Sequence, residues 1–62
     1  MHILEQEIQH IDAAYRAEKL TLDERNYLLQ EIRDVRAAQE CADNEELFRY
    51  IVQACNAIAA VA

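Results

Sequence analysis

Met1, Leu4, Ile8, Ile11 and Tyr15 follow one another at steps of 3, 4, 3 and 4 residues. That repeat marks one face of an amphipathic helix with coiled-coil-like spacing. It predicts a first helix over about residues 3–18. The stretch from Lys19 to Glu24 reads as a turn and a restart. Thr21 and Glu24 stand three apart, the spacing of a capping box. In such a box the Thr side chain accepts from the backbone of N3 while the N3 carboxylate reaches back. Asp23 and Glu24 also fall in a first turn, where the helix dipole favours acids. Leu20 and Arg25 take the two staple positions, so the usual apolar staple is missing.

Beyond the turn, Leu28, Ile32 and Val35 form a seam, with Leu29 beside it. Continued, this seam would reach Gln39, Ala42, Glu46 and Arg49. The apolar residues fall instead at Leu47, Ile51, Ala54, Ile58 and Val61, again at steps of 4, 3, 4 and 3 but one residue out of phase. Asp43 and Asn44 lie in the middle of the slip and are both good N-cap residues. Asp43 and Glu46 have N-cap to N3 spacing. The pattern therefore predicts helices over about 22–42 and 44–61. The other arrangement it allows is one unbroken helix from 22 to about 61, roughly 60 Å long.

The last segment is the most apolar. Phe48, Val52, Cys55, Ala59 and Ala62 make a second seam beside the first, and Arg49, Gln53 and Asn56 line up as a narrow polar stripe. A helix apolar on most of its circumference is expected to be buried on most of it. Two short, one-sided helices leave part of that surface over, and large apolar patches mark interaction sites. Leu47, Phe48, Ile51, Val52, Cys55, Ile58 and Val61 are thus the expected interface and core of the third helix. Leu4, Ile8, Ile11, Tyr15, Leu28, Ile32 and Val35 are the expected core of the hairpin. The uncharged run from Tyr50 to Ala62 is 13 residues, short of the roughly 20 needed to span a bilayer.

Composition sharpens this picture. The 62 residues contain no Gly and no Pro, so hairpins and tight loops are hard to build. An all-α, single-domain chain follows: a helical hairpin plus a third, mostly apolar helix. A domain of this size is marginal alone and usually leans on disulfides, a metal or oligomerisation. Two cysteines are too few for a disulfide scaffold. The start of the chain lacks a basic n-region and a long apolar h-region. Reduced thiols, a cytoplasmic setting and no secretion are the expectation. The net charge of −6 speaks against nucleic acid and against anionic membrane surfaces as partners.

Candidate chemistry is sparse. Glu7-x-x-His10 has the spacing of a di-iron bundle motif, but both residues flank the seam, as on a solvated helix face. Cys41 and Cys55 have no His nearby in sequence, and Cys55 sits on an apolar seam as a small buried hydrophobe would. A helical hairpin turning near 43–44 would set Cys41 opposite about residue 47, which disfavours a disulfide between the two. Glu40, Asp43, Glu45 and Glu46 form an acidic cluster without a base among them, which could engage a basic protein surface. Asp12–Arg16 and Glu45–Arg49 have favourable i,i+4 order. Tyr15, Tyr27 and Tyr50 lie on or beside the seams. With no Gly-rich loop and no triad, the expectation is a non-enzymatic protein without metal or cofactor.

Two resemblances add to this reading. Ile11-Asp12-Ala13-Ala14-Tyr15, then Leu20-Thr21-Leu22-Asp23-Glu24, then Leu28-Leu29 and Ile32, resemble the short helical hairpin called SHOCT. The likeness covers about a third of the chain and implies a helix, a capped turn and a Leu-rich second helix. The turn of that family usually holds a Gly; here Ala17, Glu18 and Lys19 stand in its place. The whole chain, including Ile32 to Ala42, is similar in style to small helical proteins encoded by tailed bacteriophages. That likeness implies a virion component, an assembly factor or an inhibitor of a host factor. Together these observations lead to the expectation of a multi-copy interaction or assembly protein, joining a homo-oligomer or a larger assembly. The alternative expectation is a small acidic inhibitor or adaptor.

Overall fold

The three longer helices each start where a side chain takes up free backbone donors. The structure is a computed structural model that describes residues 2–62; Met1, the first position of the N-terminal seam, lies outside the described residues. Helix α1 spans Ile3–Arg16. His2 caps it: its Nδ1 accepts from the Leu4 N–H at 3.0 Å, and its own N–H donates to Glu5 Oε1 at 3.3 Å. Helix α2, Leu22–Glu31, opens on the expected capping box. Thr21 Oγ1 accepts from Glu24 N at 3.1 Å and Glu24 Oε1 accepts from Thr21 N at 2.8 Å. Helix α4, Glu45–Ala59, is capped by Asn44, whose Oδ1 accepts from Leu47 N at 3.1 Å. Asn44 rather than Asp43 is the N-cap, so the Asp43–Glu46 pairing does not form the box.

The turn between α1 and α2 is built without glycine. Glu18 carries φ 61° in the left-handed region. Glu18 N donates to Tyr15 O at 3.0 Å and Lys19 N to Ala14 O at 2.9 Å. These two bonds are those of a Schellman motif, which satisfies carbonyls at a helix C-terminus. A Cβ in this conformation costs about 1–2 kcal/mol relative to right-handed backbone.

The second rod is not a regular helix. After α2 the backbone widens into a π turn, Ile32–Arg36, and then resumes as a short helix α3, Ala37–Glu40. The Ala37 N–H reaches Ile32 O, five residues back. A π turn inserts one residue into a helix and rotates everything after it. The core positions on this rod are Arg25, Leu29, Ile32, Ala37 and Cys41, at steps of 4, 3, 5 and 4. The step of five is the π turn.

The inner face of this rod runs through Arg25, Leu29, Ile32, Ala37 and Cys41, which corrects two positions of the hairpin seam. Leu28 is 37% exposed and Val35 is 43% exposed; the register turns both outward. Leu29 takes the inner position beside Ile32, and Ala37 and Cys41 continue it. A real break also follows, at residues 41–44, so the unbroken 60 Å helix does not form. The bundle is 35 Å along its longest axis.

Cross-contacts give the directions. Glu7 pairs with Arg36 and Tyr15 with Arg25, so α1 and the second rod are antiparallel. Arg33 reaches Asn56 and Arg25 reaches Ala59, so the second rod and α4 are antiparallel. α1 and α4 therefore run parallel. Leu4 and Ile8 of α1, Ile51 and Cys55 of α4, and the inner positions of the second rod close the core. Ile11, Leu47, Phe48, Val52, Ala54, Ile58 and Ala59 pack half-buried around it.

Candidate functional site

The apolar third helix finds most of its cover within the chain. Ile51 and Cys55 are fully buried against α1 and the second rod, and Leu47, Phe48, Val52 and Ile58 are half-buried on the same core. Of the expected interface residues only Val61 is left well exposed. Two short helices suffice because α1 and the second rod both pack on α4 and cover its two seams between them. The stripe Arg49, Gln53 and Asn56 faces outward as its polarity requires. Arg49 binds Glu45 at 2.9 Å and Asn56 accepts from Arg33 Nη1 at 3.1 Å.

Large apolar side chains remain exposed at Ile3 on α1, at Tyr50 on α4, at Val61, and at Leu22, Tyr27, Leu28 and Val35 on the second rod. Tyr27 is 62% exposed with Leu28 next to it, and Val35 is exposed about two turns further along the same rod. Leu28 stands between two shallow grooves. One is lined by Leu20, Asp23, Glu24 and Tyr27, and the other by Glu7, His10, Ile11, Glu31, Ile32 and Arg36. In the second groove the Arg36 guanidinium is hydrogen-bonded to the Glu7 carboxylate and to Glu40, the latter with Nη2 at 3.0 Å. The bond to Glu7, and then that to Glu40, hold Arg36 above the usual guanidinium pKa. Arg33 and Asp34 form an adjacent pair at 2.7 Å. Their hydrogen bond pulls the Asp34 carboxyl below its ordinary range.

These pairings bear on both candidate chemistries of the acidic residues. Glu7 is engaged by Arg36, and among the described residues no three His, Cys, Asp or Glu side chains converge as metal ligands would. In the acidic cluster, Glu40 is paired with Arg36 and Glu45 with Arg49. Cys41 and Cys55 are free thiols, both buried, and desolvation pushes both pKa values up. A thiol in such surroundings is a poor nucleophile.

Sequence reasoning missed Arg25. It is 1% exposed, at an inner position of α2. Its guanidinium carbon lies 4.5 Å from the Tyr15 ring centroid. Nε and Nη2 donate to Asn26 Oδ1 at 3.0 and 2.9 Å, and Nη2 donates to Ala59 O at 3.4 Å. The cation thus sits at the C-terminal end of α4, where the helix dipole favours positive charge, and against an aromatic face. The signal was in the sequence: Arg25, Leu29 and Ile32 are spaced 4 and 3, so the arginine lies on the inner seam. Among the described residues no helix is long and apolar enough to cross a membrane. Comparisons with models of known protein families, with curated proteins and with solved structures found no match.

Proposed function

We propose that this chain is a non-catalytic helical interaction protein that joins a homo-oligomer or a larger protein assembly. Its contact face is the outer side of the second rod rather than α4. The observation that supports this reading is the exposure of Tyr27, Leu28 and Val35 along one rod. All three are large and apolar, and they stand on one of three rods of a small bundle. Exposed apolar surface of this kind is what a partner removes from water, at about 25 cal/mol per Å². In its narrower form the proposal is a bacteriophage virion or assembly component present in multiple copies. That form rests on the resemblance to small phage-encoded helical proteins.

The acidic adaptor reading has less support. Two of the four carboxylates in its cluster are already paired with arginines of the same chain, which reduces the field a basic partner would meet.

Cysteine cross-linking tests the contact face. The natural thiols are buried and react slowly. Val35→Cys should form an intermolecular disulfide under mild oxidation, while Gln53→Cys, on the polar stripe of α4, should not. Equal cross-linking at both positions, or none at Val35→Cys, would rule the second rod out as the contact face between copies.

A further inference from the structure

The groove at the α1–α2 turn end of the bundle carries a buried cation that has no carboxylate partner among the described residues. Each of the other four arginines has a carboxylate partner: Arg16 with Asp12, Arg33 with Asp34, Arg36 with Glu7 and Glu40, Arg49 with Glu45. Arg25 is the buried one, and its acceptors among the described residues are neutral: Asn26 Oδ1 and Ala59 O. Carboxylates are not scarce, since the chain has 12. A buried cation without an anion is held at a cost that dipoles and an aromatic face only partly offset. Nε and Nη2 are occupied; Nη1 donates to no acceptor among the described residues.

Arg25 lines a groove of about 340 Å³ together with Asp12, Tyr15, Arg16, Ala57, Ile58, Val61 and Ala62. Asp12 is tied to Arg16 at 3.1 Å, which leaves Arg25 as the cation of the groove that no carboxylate side chain pairs with among the described residues. The remaining walls are largely apolar. We propose that this groove binds an amphipathic monocarboxylate, a carboxylate on a medium-length aliphatic chain. The carboxylate meets the free edge of the Arg25 guanidinium and the aliphatic part lies on Ala57, Ile58 and Val61. A guanidinium is the natural reader of a carboxylate, and apolar walls with one placed charge are the usual make-up of a small-ligand site. The C-terminal end of α4 at the same place disfavours anions, so the affinity is weak.

The test is a titration of the intact protein with octanoate, followed by amide and arginine side-chain NMR, with octanol as the uncharged control. Octanoate should give saturable shifts at Tyr15, Arg25, Ile58 and Val61. Octanol at the same concentrations should give none that saturate. Arg25→Met, which keeps the volume and removes the charge, should weaken octanoate at least tenfold. The proposal is overturned if octanoate gives no saturable shifts, if octanol matches it, or if folded Arg25→Met binds like the parent. Should Arg25→Met not fold, the octanoate and octanol comparison on the parent protein decides alone.

Discussion

The guanidinium of Arg25 stacks on the ring of Tyr15 with 4.5 Å between its carbon and the ring centroid, and this contact ties α1 to α2 near their shared turn. The same guanidinium donates to Ala59 O, so one side chain joins all three rods. Arg25→Ala removes the packed stem, the ring contact and the hydrogen bonds together, and should destabilise by about 2–4 kcal/mol. Arg25→Met keeps the stem and should lose less than about half of that. Urea unfolding followed by circular dichroism measures both. Equal losses for the two variants would mean that packing by the stem contributes little.

Neighbouring leucines should differ sharply. Leu29 is fully buried and Leu28 stands partly in solvent. Leu29→Ala should cost about 2–4 kcal/mol, and Leu28→Ala under about 1 kcal/mol. Denaturant midpoints of the two variants check the register directly. A reversal of the order would contradict the inner seam of Arg25, Leu29 and Ile32.

Glu18 holds a left-handed backbone that ordinary residues resist. Glu18→Gly should raise stability by about 0.5–1 kcal/mol, as relief of the Cβ clash outweighs the added freedom of the unfolded chain. A thermal melt reads the difference. A lower melting temperature for Glu18→Gly would mean that the Glu18 side chain contributes more to the turn than its φ angle costs.

The thiols give a pH dependence with a definite sign. Burial raises the pKa of both Cys41 and Cys55, while an unfolded thiol titrates near about 8.5. Below that pH both states keep their thiol protons and stability is at its full value. Above it the unfolded chain releases protons that the folded chain retains, so the free energy of unfolding falls as pH rises. Urea midpoints at pH 7.5 and 9.5 should drop more for the parent than for a Cys41→Ala, Cys55→Ala double variant. Equal drops would assign the alkaline loss to other groups.

Some of this molecule was legible in its sequence because local chemistry decides it. Thr21 and Glu24 formed the box their spacing called for, and the lack of Gly and Pro went with an all-α fold. The helix break near Asp43 and Asn44 was legible too, though not which of the two caps, since both side chains suit the position. The π turn was not legible. One extra residue leaves no mark in composition, and the apolar spacing of Leu28, Ile32 and Val35 runs across it without interruption. Their spacing to Ile32 puts Leu28 and Val35 on a seam, whereas the buried face takes Leu29 before the π turn and Ala37 after it. Arg25 was overlooked because apolar periodicity counts only apolar residues, although its spacing to Leu29 and Ile32 puts it on the inner seam.

On the proposed reading, the outer side of the second rod, around Leu28 and Val35, is a contact surface between protein chains. Light scattering coupled to size exclusion, run across concentration on the parent and on Leu28→Glu, tests it most directly. The parent should run as a species of defined mass above the monomer, and Leu28→Glu should be folded and monomeric. A folded parent that stays monomeric at every concentration would contradict self-association, and a Leu28→Glu variant with the parent's oligomeric mass would contradict the face.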